Sequence, residues 1–275
     1  MVRSNIFRHL FIIVLGVLML YPVLWLISSS FKPNQLIFSQ PGLWPTEWTF
    51  SNYIKGWAGF QGISFGRFFL NSAFISILCV IGNIITCSLA AYAFARLKFK
   101  LSSLWFALMI VTIMLPYHVT LIPQYIIFSE LNWLNTYYPL IIPKWLATDS
   151  FFILLMVQFI RGIPRELDES ATIDGCNQKS IYVRIMIPLL VPALISTAIF
   201  TFIWSWDDFF SQMIYISQID LFTVQLGVRA LFDPSGSSDW GSLLAMSTLS
   251  LIPISLIFMF FQKYFLEGIA TTGFK

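Results

Sequence analysis

An all-α, polytopic membrane protein of about six helical spans is the fold class that this sequence predicts. Three observations predict it: an apolar composition, long stretches without one charge, and a lopsided distribution of Lys and Arg. Of the 275 residues, 57% are hydrophobic and 11% charged, against roughly 25% charged in an ordinary soluble domain. The 28 Phe and 10 Trp require more burial than one globule of this length provides, so lipid is the simpler solvent.

An ionised side chain at mid-bilayer costs about 2.5–3.5 kcal/mol, so charge-free runs mark candidate spans. Lys, Arg, Asp and Glu are missing from His9 to Phe31, Phe68 to Ala95, Leu101 to Ser129, Ile185 to Trp206 and Trp240 to Gln262. Each exceeds the ~20 residues that cross a bilayer. In chain order the spans are expected at about 10–31, 68–95, 101–125, 143–160, 185–206 and 240–262. The first has no small-residue cleavage pattern and is followed by a long polar segment, which reads as a retained helix rather than a signal peptide. The fourth is the weakest, because Trp145 to Ile160 is short and carries Asp149 near its expected outer end. The spans fill most of the chain, so residues 1–275 are expected to form a single transmembrane domain.

Orientation follows from the excess of Lys and Arg on cytoplasmic loops. With both termini inside, the inner side collects Arg3, Arg8, Arg96, Lys98, Lys100, Arg161, Arg165, Lys179, Arg184, Lys263 and Lys275, whereas the outer side keeps Lys32, Lys55, Arg67, Lys144 and Arg229. Interfacial aromatics, among them Trp44, Trp48, Trp57 and Trp133, fall on the outer side. The expected location is therefore a cytoplasmic membrane, crossed several times, with N- and C-termini cytoplasmic. Cys79, Cys87 and Cys176 are odd in number and fall in or beside predicted spans, which argues for packing rather than a disulfide framework. A net charge of +3 is ordinary under this bias and implies no nucleic-acid partner.

Arg161 to Arg184 differs from everything around it, with four basic and four acidic residues. Such a run is most often a solvated surface. Here, however, Pro164 can open a helix, Glu166, Asp168 and Glu169 suit the positive end of its dipole, and Gly175 can close it, giving about three turns. Leu167, Ser170, Ala171 and Asp174 recur at helical spacing, so one face is small and mildly apolar, flanked by Glu166 and Glu169, and suited to a docking partner. A second amphipathic stretch, Asn177 to Ile187, is expected to end at Pro188 and lead into the fifth span. The arrangement is helix, glycine turn, helix.

That loop resembles the EAA signature of membrane subunits of binding-protein-dependent ABC importers: Glu, Ala, Ala, three of anything, Gly, nine of anything, Ile, anything, Leu, Pro. The register here is Glu169, Ser170, Ala171, Gly175, Ile185, Ile187 and Pro188, with Ser170 and Ile187 replacing Ala and Leu at unchanged spacing. Further segments resemble the carbohydrate-uptake branch, similar to the second membrane subunit of the maltose importer. They are Ser30 to Pro33, Asn52 and Tyr53, Asn71 and Ser72, Ala90 to Phe99 (AAYAFARLKF) and Trp206 to Phe209. The resemblance implies a type I ABC importer fold in a bacterial cytoplasmic (inner) membrane. It also implies a second homologous permease subunit, two copies of an ABC ATPase carrying the ATP and Mg, and an extracytoplasmic solute-binding protein. Glu169, Ser170, Ala171, Asp174, Gly175, Ile185 and Pro188 would form the ATPase-coupling loop, and Thr271, Thr272 and Gly273 a tail reaching the ATPase dimer interface.

No stretch fits the Gly-x4-Gly-Lys-Ser/Thr pattern that cradles nucleotide phosphates, so no catalytic residue and no cofactor are expected in this chain. The function implied is translocation of a sugar or oligosaccharide by alternating access. Asn83, Tyr117, Gln124, Trp204 and Trp206 could line the substrate path, although aromatic and small polar residues also pack spans together. His118 has no neighbouring His or carboxylate in sequence, so no metal is expected there. Alternatives are an importer permease for another solute, such as glycerol phosphate or an amino acid, and a secondary transporter. Against the last, ion-coupled carriers place charges inside their spans, and these runs have none.

Overall fold

The structure, a computed structural model, describes residues 2–232 and 239–270, with side chains from residue 8 to residue 262 within those ranges. Apart from one isolated bridge at Phe60 and Ile63, the regular structure in the described residues is helical. The helices used below are α1 (Val2–Ser30), α2 (Phe65–Arg96), α3 (Ser102–Ile113), α4 (Tyr117–Glu130), α5 (Ser150–Arg161), α6 (Glu166–Ile173), α7 (Val191–Asp207) and α8 (Trp240–Ala270). The chain forms two compact units, residues 1–68 with 224–253 and residues 69–223 with 254–275.

In the first unit, α1 enters a polar segment that is stapled back on itself. Asn52 donates from Nδ2 to the carbonyls of Ser30 and Lys32, both at 2.8 Å, and the Ser30 and Tyr53 hydroxyls lie 2.7 Å apart. Lys32 is buried, and its ammonium donates to the carbonyls of Gln40 and Gly42 at 2.8 and 2.6 Å. Burial lowers its pKa from the usual lysine value, since a charged group loses hydration there. Helix Ser51–Ala58 approaches α8 closely where side chains are missing. A Cβ on Gly56 would come within 2.8 Å of Met246, and one on Gly241 within 2.4 Å of Asn52 Oδ1.

The second unit is built on a stripe of α2. Cys87, Ala91 and Ala95 recur every fourth residue, as do Phe152, Met156 and Ile160 of α5, and all are buried in one core with Ala171, Ile181, Met186 and Ala193. Period-four stripes of small residues against large ones let helix axes approach. On another face of α2, the Trp145 ring lies against Gly82, where a Cβ would collide with Cδ1.

Among the described residues, four helical stretches are long and apolar enough to cross a membrane: Arg8–Ser30, Phe65–Arg96, Tyr138–Arg161 and Trp240–Gln262. Two further runs, at the expected spans 101–125 and 185–206, qualify only as bent pairs. The pair α3 and α4 bends by 105°, and Gln178–Leu189 with α7 by 74°. The first break falls at Met114–Pro116, with Pro116 extended at φ −60° and ψ 130°, because the residue before a proline is driven out of the helical region. The second falls at Leu190, where Pro192 has no N–H to offer the Pro188 carbonyl. Pro188 itself lies within the helical turn Ile187–Leu189, so the stop expected there comes two residues later. The fourth expected span, 143–160, is interrupted as well: a 3-10 turn, Ile142–Leu146, precedes α5, which starts at Ser150 directly after Asp149.

Candidate functional site

The Arg161–Arg184 loop folds as helix, glycine turn, helix. α6 spans eight residues, about two turns rather than three, and its first turn carries Glu166, Asp168 and Glu169, where carboxylates complement the helix dipole. It closes with a Schellman turn: Gly175 takes φ +83°, its N–H donates to Thr172 O at 3.0 Å, and Cys176 N–H donates to Ala171 O at 2.9 Å. The Asn177 side chain then caps the next helix, accepting from Ser180 N–H at 2.8 Å. Ile185 lies half-buried in the π-helical turn Tyr182–Met186 and packs on the core, while Pro188 is exposed.

The last two turns of α2 hold this loop. Arg96 Nε lies 2.8 Å from Asp168 Oδ2, and Arg96 Nη2 donates to Ile163 O at 2.7 Å. Tyr92 donates to Gln178 Oε1 at 2.7 Å and packs its ring against Tyr182, whose hydroxyl meets Ser88 Oγ at 2.7 Å. The motif AAYAFAR thus supplies the anchors of the loop, a role that only tertiary contact reveals.

The expected docking face divides. Ala171 is buried against the core, whereas Glu169, Ser170 and Asp174 are exposed. The exposed face of α6 is Glu166, Glu169, Ser170 and Ile173, spaced 3, 4 and 7 apart. Ile173, not singled out in the sequence, is 87% exposed. Thr271, Thr272 and Gly273 lie outside the described residues.

A cavity of about 890 Å3 opens in the second unit, lined by residues of α4, α7, the Pro139–Ser150 segment and the short helix Phe210–Tyr215. Three of the expected path residues, Tyr117, Gln124 and Trp204, line it. Tyr117 OH lies 2.6 Å from Ser211 Oγ, and Trp204 rests on Phe152 with ring centroids 5.2 Å apart. Asn83 and Trp206 do not line it. Trp206 is buried, stacked on Phe202, and Asn83 stands behind the wall, donating to Asp149 Oδ2 at 2.7 Å and Thr201 Oγ1 at 2.9 Å.

The wall contains charges that the sequence reading assigned to loops or left aside. Lys144 Nζ lies 3.0 and 2.8 Å from the two oxygens of Asp149, and Asp207 and Asp208 line the same space. Asp208 Oδ1 also caps the Phe210–Tyr215 helix, accepting from Ser211 N–H at 3.1 Å. Tyr215 is buried, its hydroxyl has no hydrogen-bond partner, and burial pushes its phenol up to about 12, so it stays protonated and able to donate. His118 packs edge-on against Phe210.

The fold defines the membrane-embedded part of a transporter. The chain superposes with a TM-score of 0.84, at 20% identity and over 95% of this chain and 96% of the other, on a chain of a bacterial ABC transporter involved in the import of the acidic polysaccharide alginate. In sequence it is 34% identical over 273 residues to the "Probable ABC transporter permease protein YurM" of Bacillus subtilis, covering 99% of this chain and 89% of that protein. It is 33% identical to the arabinooligosaccharides transport system permease protein AraQ of Halalkalibacterium halodurans, covering 93% and 91%. Residues 82–270 match the family described as binding-protein-dependent transport system inner membrane component, and the chain belongs to that family. It is a multi-pass membrane permease, a transport component.

Proposed function

We propose that this permease carries a sugar or oligosaccharide inward, driven by ATP hydrolysed, with Mg, on a separate ATPase pair that grips the α6 loop. A second, homologous permease completes the path, and an extracytoplasmic solute-binding protein delivers the cargo. The two termini and the α6 loop lie on the cytoplasmic side, in keeping with the Lys and Arg bias. The carbohydrate reading is supported by the arabinooligosaccharide transport named for a relative that aligns with nearly the whole chain.

The observation that carries the mechanism is the mounting of α6. It presents Glu169 and Ile173 outward while Arg96 and Ala171 fix it to α2 and the core, and Tyr92 fixes the helix that follows the glycine turn. A short helix fixed at its back and exposed at its front passes a push to the spans behind it as a rigid body. Glu169 would pair with a basic residue of the ATPase, and Ile173 would fill an apolar recess.

The test is ATP hydrolysis by the purified complex, with and without binding protein, for Glu169→Lys and Gly175→Pro. Loss of stimulation by binding protein is expected in both, and normal coupling in either would refute the lever.

A further inference from the structure

We infer that the head of α5 carries a subsite for one saccharide ring, in which the Lys144–Asp149 pair takes two adjacent hydroxyls and the Trp204 indole takes the face of the ring. The inference rests on the importer reading above and adds to it the groups on the cargo that this chain itself recognises.

Hydrogen-bonding capacity is left over at the ion pair. A carboxylate offers about four lone-pair positions and an ammonium three N–H groups. On Asp149, Oδ2 accepts from Asn83 Nδ2 at 2.7 Å and from Lys144 Nζ at 2.8 Å, and Oδ1 accepts from Lys144 Nζ at 3.0 Å. One position remains, on Oδ1. The ammonium directs two N–H groups at the same carboxylate and keeps the third. Each side chain is about a quarter exposed, and both residues line the cavity of about 890 Å3. The pair therefore offers that space one acceptor beside one donor, 3.0 Å apart.

Adjacent hydroxyls on a sugar ring match this arrangement: one donates to Oδ1 while its neighbour accepts from Nζ. Both bonds involve an ionised group, which makes them stronger than bonds between neutral groups. The carboxylate is also set in place before a ligand arrives. Asn83, which holds it, donates to Thr201 Oγ1 at 2.9 Å as well and so ties it to α2 and α7, and a site fixed beforehand loses less entropy on binding.

Trp204 supplies the other half. It is half exposed and lines the same cavity, and its ring packs on Phe151 and Phe152 with centroids 6.0 and 5.2 Å apart. Those are the second and third residues of α5, and Asp149 directly precedes the first, so indole and ion pair are held at the same helix end. A sugar ring has apolar C–H faces and a polar edge, which an aromatic surface accompanied by a few fixed polar groups suits. Tyr215, also in the lining, is 3% exposed and its hydroxyl has no hydrogen-bond partner. An enclosed hydroxyl left unsatisfied is costly, and a polyhydroxylated ligand would relieve it.

The experiment uses the assembled importer in lipid nanodiscs, without binding protein, and measures binding of maltotriose and arabinotriose by saturation-transfer NMR. Each is compared with its own product of periodate cleavage and borohydride reduction, in which adjacent hydroxyl pairs are split and the rings that bear them opened. At least one intact trimer is expected to bind, and its opened form to bind more weakly by about tenfold or more. The double variant Lys144→Met, Asp149→Leu is expected to weaken the intact trimer by about tenfold, and Trp204→Leu by about fivefold. Should the double variant fail to assemble, Trp204→Leu and the opened trimer decide.

No binding of either trimer, equal binding of intact and opened forms, or unchanged binding in either variant overturns the inference. Those outcomes leave the importer reading standing if binding protein still stimulates ATP hydrolysis by the unmodified complex. Absent stimulation with trimer binding intact would sink the importer reading alone.

Discussion

Arg96 reaches Asp168 across the gap between α2 and α6, Nε to Oδ2 at 2.8 Å, with 5% of the Arg96 side chain exposed. Removing one partner of such an enclosed pair strands the other charge and costs about 3 kcal/mol. Arg96→Ala is therefore expected to lower the thermal midpoint of the purified chain and to reduce solute moved per ATP in the complex. Arg96→Lys keeps the charge but cannot serve both Asp168 and the Ile163 carbonyl, so it should fall between. A wild-type transport ratio in Arg96→Ala would show that the anchor is dispensable.

At Gly175 the strain of a substitution is purely conformational, because a Cβ there meets nothing within 4 Å while φ is +83°. An L side chain in that region costs about 1–2 kcal/mol, and Asn less. The expected order in thermal unfolding is Gly175 above Gly175→Asn above Gly175→Ala. Equal midpoints for all three would mean that the turn relaxes.

The Lys144–Asp149 pair invites a double-mutant cycle. Lys144→Met leaves a carboxylate that Asn83 alone cannot neutralise, and Asp149→Leu leaves an ammonium, whereas the two changes together leave neither. With both side chains about a quarter exposed, the coupling is expected on the order of 1–2 kcal/mol, the double variant being more stable than the sum of the singles. Strict additivity in urea or thermal unfolding would exclude the coupling.

Gly82 tests close packing. A methyl group there would collide with the Trp145 ring, which is pinned by its own bond from Nε1 to Leu78 O at 3.1 Å. Gly82→Ala should cost about 1–3 kcal/mol, and adding Trp145→Leu, which clears the space, should recover part of the loss. Urea unfolding of each variant, followed by circular dichroism, reports both.

Charge spacing alone located the apolar runs, and the interval from Glu169 through Gly175 to Pro188 located the loop. Both are one-dimensional signals, and one-dimensional signals survive in a sequence. What they miss is direction. Ala171 and Ser170 are neighbours in the motif, yet one faces the core and the other solvent, because the side of α6 that α2 claims is fixed by the pairing of Asp168 with Arg96, some seventy residues away in the chain. Trp204 and Trp206 look equivalent in sequence, and a turn of about 200° between them sends one to the cavity and the other into the core. The breaks at Pro116 and Pro192 were visible as prolines inside apolar runs, and the absence of charge outweighed them. Lys144 and Asp149 could not be paired by pattern, since five residues apart outside a regular helix has no fixed geometry.

The break between α3 and α4 carries a consequence for how wet this molecule is. A helix end leaves up to four peptide groups without an intrahelical partner, and here two such ends meet midway along a run of apolar residues. Hydrocarbon cannot satisfy them. Leu115 and Tyr117, on either side of Pro116, both border the cavity, so the bare amides and carbonyls face a space that water can occupy. Hydration therefore penetrates halfway into a segment whose composition alone would mark it as dry, and a solute reaching that depth exchanges one set of hydrogen bonds for another.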